Sequence, residues 1–191
     1  MSLNKIVSTT ATRLDVLLVL QVLGAYKAGI YGLSSTLAVG VPLIIGSFAT
    51  VLASKFSSIT NKKILVKFFY KSIGLSVVFS SFLIIGVIVA PFVMRFFGEK
   101  YIDSIPILQW LLIGFIPFAL STPAVNILIY HFKKPHIISY LSIFQLLIII
   151  SINYYFLPIF GIYAPVLALS LANLLTFVIT YIYSFKYLSE K

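Results

Sequence analysis

The sequence predicts an all-α integral membrane protein, a bundle of about six transmembrane helices joined by short turns. Of its 191 residues 61% are hydrophobic and 9% charged, whereas a soluble domain carries about 25% charge. Mean hydropathy is +1.11. The apolar residues form long blocks of roughly 20 rather than stripes of period 3.6 or 2, the pattern of helices surrounded by hydrocarbon. The formal charge of +10 gathers in the turns between blocks. In that setting it serves orientation and contact with anionic lipid, and nucleic acid is not an expected partner.

The first predicted helix covers about Leu3 to Val22, with its polar residues in the first half, Asn4 to Asp15. Gly24 to Gly29 should break the chain, and a second helix follows over 30–56, with Pro42 and Gly46 predicting a bend. The polar linker Ser57 to Lys63 leads to a third helix over 64–94, whose early Lys67 and Lys71 have stems long enough to snorkel. Glu99 to Asp103 makes a polar turn. The fourth helix, 104–130, contains Pro106, Pro117 and Pro123, which predict at least one kink with freed carbonyls. After the turn at His131 to Pro135 comes the fifth helix, 136–156. A tight uncharged turn, Leu157 to Gly161, precedes the sixth, 162–185. No linker is long enough for a second domain, so 1–191 reads as a single transmembrane lobe.

Basic residues set the expected orientation. With the amino terminus cytoplasmic, that side holds Lys5, Arg13, Lys55, Lys62, Lys63, Lys67, Lys71, Lys133, Lys134, Lys186 and Lys191, or 11 of the 14, and the other side only Lys27, Arg95 and Lys100. The asymmetry favours both termini inside. Tyr26, Tyr31, Tyr101, Trp110, Tyr154, Tyr155, Tyr163, Tyr183 and Tyr187 fall near span ends, as interfacial aromatics do. Leu14 to Leu23 leads to no small-residue cleavage site, so the first segment is expected to be retained rather than removed as a signal peptide.

Little in the sequence suggests catalysis. With no cysteine, disulfides, thiolate metal sites and cysteine nucleophiles are excluded. The four carboxylates are Asp15, Glu99, Asp103 and Glu190. Glu99 and Asp103 share a turn with Arg95 and Lys100, which suits local ion pairing and capping. His131 and His136 lack an acidic third partner for a metal. No phosphate-binding loop, dinucleotide motif or nucleophile elbow is present. No cofactor is expected. Polar groups inside the spans are more telling, because in hydrocarbon they must find a partner or water. Arg13 and Asp15 are two residues apart on one helix, so their side chains diverge and do not simply bridge. The amides of Gln21, Gln109, Asn126, Gln145, Asn153 and Asn173 suit interhelical hydrogen bonds.

Three stretches carry a resemblance. Thr12-Arg13-Leu14-Asp15-Val16-Leu17-Leu18 with Ala28-Gly29-Ile30-Tyr31-Gly32-Leu33 is similar to the seventh span and following turn of polysaccharide flippases. These are the O-antigen-type exporters of the multidrug/oligosaccharidyl-lipid/polysaccharide superfamily. Phe97-Gly98-Glu99-Lys100-Tyr101 with Ser104-Ile105-Pro106-Ile107-Leu108 resembles the turn before their tenth span. Leu157-Pro158-Ile159-Phe160-Gly161-Ile162-Tyr163-Ala164 with Ala168 resembles the turn into the twelfth, departing at Tyr163, where family members often carry a second small residue. The resemblance implies a flippase that moves a polyprenyl-diphosphate-linked oligosaccharide across the bacterial plasma membrane, built from two six-helix lobes about a cationic cavity. Only the second lobe is matched, so the N-terminal lobe, or a second six-helix chain, is an implied partner. Carried over, Arg13 becomes a head-group contact, Asp15 an ion-coupling or structural partner, and Lys27 and Gln21 weaker substrate-binding candidates.

Two other classes compete with this reading. An accessory or assembly subunit without transport of its own would bind a partner through small and polar helix faces. A membrane-embedded glycosyl- or phosphotransferase would need acidic metal-binding residues near the interface, for which only Glu99 and Asp103 are available.

Overall fold

In the computed structural model the backbone is described for residues 3–190 and side chains for residues 15–190. Every regular element among them is helical: α1 (Leu3–Ala38), α2 (Gly40–Ser58), α3 (Lys62–Phe96), α4 (Ser104–Gly114), α5 (Ile116–Asn126), α6 (Pro135–Phe160) and α7 (Ala164–Glu190). Short 3-10 turns occupy Glu99–Tyr101 and Gly161–Tyr163, and a π-helical turn occupies Ile127–His131. Four apolar helical stretches are long enough to cross a bilayer, Asp15–Ser58, Lys62–Phe96, Ser104–His131 and Pro135–Glu190. Helices satisfy their own backbone polar groups, as hydrocarbon requires. The chain is a multi-pass helical membrane protein.

The first and last stretches have 44 and 56 residues, which at about 1.5 Å per residue is two or more times a hydrocarbon core of about 30 Å. Neither is straight. Within α1, Gly24 adopts φ 84°, ψ 172°, a backbone state that glycine enters without a Cβ clash. The two arms then fold back on one another: the Tyr31 hydroxyl donates to Asp15 Oδ2, and a Cβ on Gly32 would lie 3.7 Å from Val16 Cγ1. The reversal is confined to Gly24, and helix resumes at Ala25 rather than after Gly29 as the sequence suggests. At the other end, Gly161 (φ 58°) closes α6 and three residues turn the chain into α7. Gln145 Nε2 on α6 donates to Ala172 O on α7 at 3.1 Å.

Proline positions explain the remaining irregularities. Pro42 cannot donate to Ala38 O, and the helix is interrupted close by, at Val39, whose own N–H still reaches Ser35 O at 3.0 Å. The bend therefore lies ahead of Pro42 and Gly46. Pro106 sits in the first turn of α4, where a missing N–H costs little. Pro117 cannot bond Ile113 O, and α4 gives way to α5 just before it, at Phe115. Pro123 lies inside α5, and one turn later the π-helical turn closes with Phe132 N–H on Ile127 O at 3.0 Å. Pro158 does not end its helix: α6 continues to Phe160, past the turn expected from Leu157. Its ring displaces only the bond to Tyr154 O, at an exposed position.

The helix ends gather at two poles. At one, the Tyr26 hydroxyl donates to Asp103 Oδ2 at 3.1 Å, Ser34 Oγ to Ser104 O at 2.9 Å, and Ser104 Oγ to Ile30 O at 3.1 Å. Asp103 thus ties two turns together; it makes no cap bond, and among the described residues neither it nor Glu99 forms a salt bridge with Arg95 or Lys100. At the other pole His131 Nδ1–H donates to Phe56 O at 3.3 Å, the Phe132 and Tyr187 rings lie 5.5 Å apart, and Lys134 Nζ sits 5.9 Å from the Tyr187 ring centre.

Between the poles, close packing and amide bonds hold the helices, since lipid supplies no hydrophobic drive between them. Gln109 Nε2 joins α4 to Val87 O of α3 at 3.0 Å, and Asn173 Nδ2 joins α7 to Gly114 O at 2.9 Å. Asn126 differs from expectation by bonding Thr122 O in its own helix. Gly114 packs so closely on α7 that an added Cβ would collide with Ser170 Oγ. Gly114→Val should therefore push α4 from α7 and destabilise the bundle by about 1–3 kcal/mol, read as earlier thermal unfolding in detergent. Gly114→Ala with Ser170→Gly should recover most of what Gly114→Ala alone loses. Equal unfolding temperatures for Gly114→Val and the parent would refute the close approach.

Candidate functional site

The site begins with the charge that the first arm of α1 carries into the bundle. Asp15 is half-buried; its Oδ1 accepts the Val16 N–H at 2.8 Å and its Oδ2 accepts the Tyr31 hydroxyl from the second arm. Folding at Gly24 is what brings the two together. Tyr31 is only 2% exposed, so it is not the interfacial aromatic that its place near a span end suggests. It is the buried partner of an intramembrane carboxylate.

A cavity of about 180 Å³ opens beside the pair. Asp15, Tyr31 and Ser35 line it from α1, Leu111 and Phe115 from the α4 side, and Asn153 from α6. Asn153 is 1% exposed and its Oδ1 has no hydrogen-bond partner among the described residues. An unmet buried amide oxygen costs about 1–3 kcal/mol, so its presence at the wall of the cavity needs a reason other than packing. The sequence lists Asn153 among six span amides with nothing to single it out. Only the fold places it across from Asp15. A carboxylate, an amide oxygen and hydroxyls are hard donors, suited to a proton or a small hard cation and unsuited to soft metals.

Other expected site residues lie elsewhere. Arg13 lies outside the described side chains; its backbone is helical, one half-turn before Asp15. Gln21 and Lys27 are exposed and do not line the Asp15 cavity. Lys27 follows Tyr26 at the pole joined by Asp103. His131 is held by Phe56 O, while His136 lines a separate groove. Among the described residues no three His, Cys, Asp or Glu side chains are grouped to hold a metal.

No curated protein and no solved structure matches the chain. The sequence model of the family described as polysaccharide biosynthesis protein matches residues 1–106, which include α1, α2, α3 and the start of α4. The match takes in Arg13, Asp15 and Tyr31. It covers more than half of the 191 residues, and the chain belongs to the polysaccharide biosynthesis protein family.

Proposed function

We propose that the chain is a transport lobe of a flippase that carries a polyprenyl-diphosphate-linked oligosaccharide across the bacterial plasma membrane. In this reading the helices cross six times, with reversals at Gly24 and Gly161, and both termini are cytoplasmic. A second lobe, on the same polypeptide or another, completes the cavity. The observation that carries the reading is the Asp15 cavity, with the unmet Asn153 oxygen buried at its wall, inside a bundle whose other buried polar side chains are hydroxyls and amides. Charges in hydrocarbon are costly, about 2.5–3.5 kcal/mol on insertion scales, and they mark transport pathways and proton relays.

Roles follow from the chemistry of the groups. Arg13 supplies a planar fork suited to a diphosphate. Asp15, with Asn153 and Tyr31, takes up a proton or a hard cation. Loading that pocket changes the charge between the two arms of α1 and biases the lobe between inward-open and outward-open states, as ligands bias any two-state equilibrium. Polymer chemistry is left to other enzymes of the pathway.

Three outcomes are expected in a complete transporter that includes this lobe. Arg13→Ala should nearly abolish export at unchanged protein level, and Arg13→Lys should impair it partly, because charge survives without the bidentate fork. Full export by Arg13→Ala would leave only a snorkelling role for that side chain. Asp15→Asn should reduce export at least about tenfold, equivalent to about 1.4 kcal/mol, and flatten its dependence on pH or on the sodium gradient. Tyr31→Phe should weaken export less, since the carboxylate remains. An Asp15→Asn protein with parental export and unchanged ion dependence would remove the coupling role. For topology, single cysteines at positions 62 and 133 should resist an impermeant thiol reagent in intact cells, while those at 27, 100 and 158 react. Labelling at 62 from outside would overturn the orientation.

A further inference from the structure

The basic pole carries a second cavity, remote from Asp15, between the start of α6 and the end of α7. It has a volume of about 640 Å³ and is lined by His136, Tyr140, Leu141, Phe144, Tyr183 and Tyr187, among others. Two features meet in it that the other grooves carry separately, since the groove lined by Lys55 and Lys71 has no tyrosine and the one lined by Trp110 and Tyr163 has no cation. Its walls are aromatic with polar tips, the composition found where a membrane passes from tails to head groups. Tyr140, 71% exposed, stands at its edge, and Tyr183 and Tyr187 are stacked along α7 with ring centres 6.4 Å apart. A cation stands beside it: Lys134 Nζ sits 5.9 Å from the centre of the Tyr187 ring that lines it, and the His136 imidazole, a polar group, forms part of the wall.

We propose that this groove binds one anionic phospholipid of the surrounding bilayer. The phosphate rests between Lys134 and His136, and an acyl chain lies along Tyr140, Phe144 and Tyr183. Charge complementarity selects the occupant. A zwitterionic lipid brings its own cation to a mouth that already holds one, whereas an anionic head group meets only opposite charge. Basic pockets between transmembrane helices recognise anionic head groups on this principle, each cation adding about 1 kcal/mol, roughly fivefold in affinity. The start of α6 adds to the positive potential, since Pro135 opens it and no side chain caps it. The groove lies at the pole opposite the Tyr26–Asp103 link, so its occupation does not depend on the transport reading of Asp15.

The test uses the purified 191-residue chain in neutral detergent, with native mass spectrometry reading bound lipid during titration with dioleoyl phosphatidylglycerol or dioleoyl phosphatidylcholine. Phosphatidylglycerol should bind at least about fivefold more tightly. The double variant Lys134→Ala/His136→Ala should bring the two lipids level, and Tyr140→Ala should weaken phosphatidylglycerol with no change of protein charge. Lys62→Ala/Lys63→Ala, which removes two charges from the neighbouring turn, should leave the preference in place. Equal affinity of the parent for the two lipids would overturn the proposal. So would equal loss in the Lys62/Lys63 and Lys134/His136 variants, which would mean diffuse attraction to a basic surface, and so would parental binding by Tyr140→Ala, which would leave the groove unoccupied.

Discussion

The hydrogen bond from Tyr31 to Asp15 is the contact on which the rest of the bundle turns. It spans the reversal at Gly24, so the first arm of α1 is held by its own continuation as well as by neighbours. In an apolar interior a carboxylate without donors would be driven to neutralise or to reach water. Here one of its donors, the Tyr31 hydroxyl, comes from the second arm of the same helix pair, placed by a single glycine. The energetic cost of placing Asp15 in the span and the backbone geometry at Gly24 are therefore one constraint, and the cavity beside them is its consequence.

The same logic of satisfied polarity organises the interior. Serine hydroxyls on α3 bond back to carbonyls in their own helix, Ser76 to Ser72 O at 3.1 Å and Ser80 to Ser76 O at 2.9 Å, leaving small surfaces on which neighbours can pack. Amides reach between helices where backbones are near enough, as Asn173 does to Gly114 O. Against that background Asn153 stands out, because its Oδ1 is buried at a cavity wall and unmet. Gln109, Gln145 and Asn173 bond between helices and Asn126 within its own, whereas the Asn153 oxygen stays buried and unmet in a residue that shares a cavity with Asp15.

The helical class and the approximate span positions are legible in the sequence because hydropathy acts residue by residue and needs no tertiary information. What escapes is whatever depends on which glycine or proline the chain uses. Gly24, Gly29 and Gly161 read alike in sequence, yet only Gly24 and Gly161 leave the helical region, where reversal brings packing partners together. Pro158 looks like a turn and is absorbed inside α6, since an exposed carbonyl is all it frees. Tyr31 looks interfacial until the reversal sets it against Asp15. Asp103 looks like a cap, but its partner, Tyr26, lies 77 residues away. Asp15 itself was legible, because a carboxylate in an apolar block is conspicuous without any fold, whereas Asn153 needed three dimensions.

The two poles differ in the kind of contact that joins them, and this bears on how the helices can shift. Near Gly24 the links are directional hydrogen bonds: Tyr26 to Asp103, Ser34 to Ser104 O and Ser104 to Ile30 O. Each is lost when its partners shift by about an ångström, because hydrogen bonds weaken steeply outside a narrow range of distance and angle. At the basic pole the contacts are mostly between rings, Phe56 with Phe68, Phe69 with Phe185 and Phe132 with Tyr187. Aromatic pairs keep much of their attraction over ring-centre separations of about 4.5–7 Å and several relative orientations. Helices that tilt against one another therefore disturb less at the aromatic pole than at the hydrogen-bonded one.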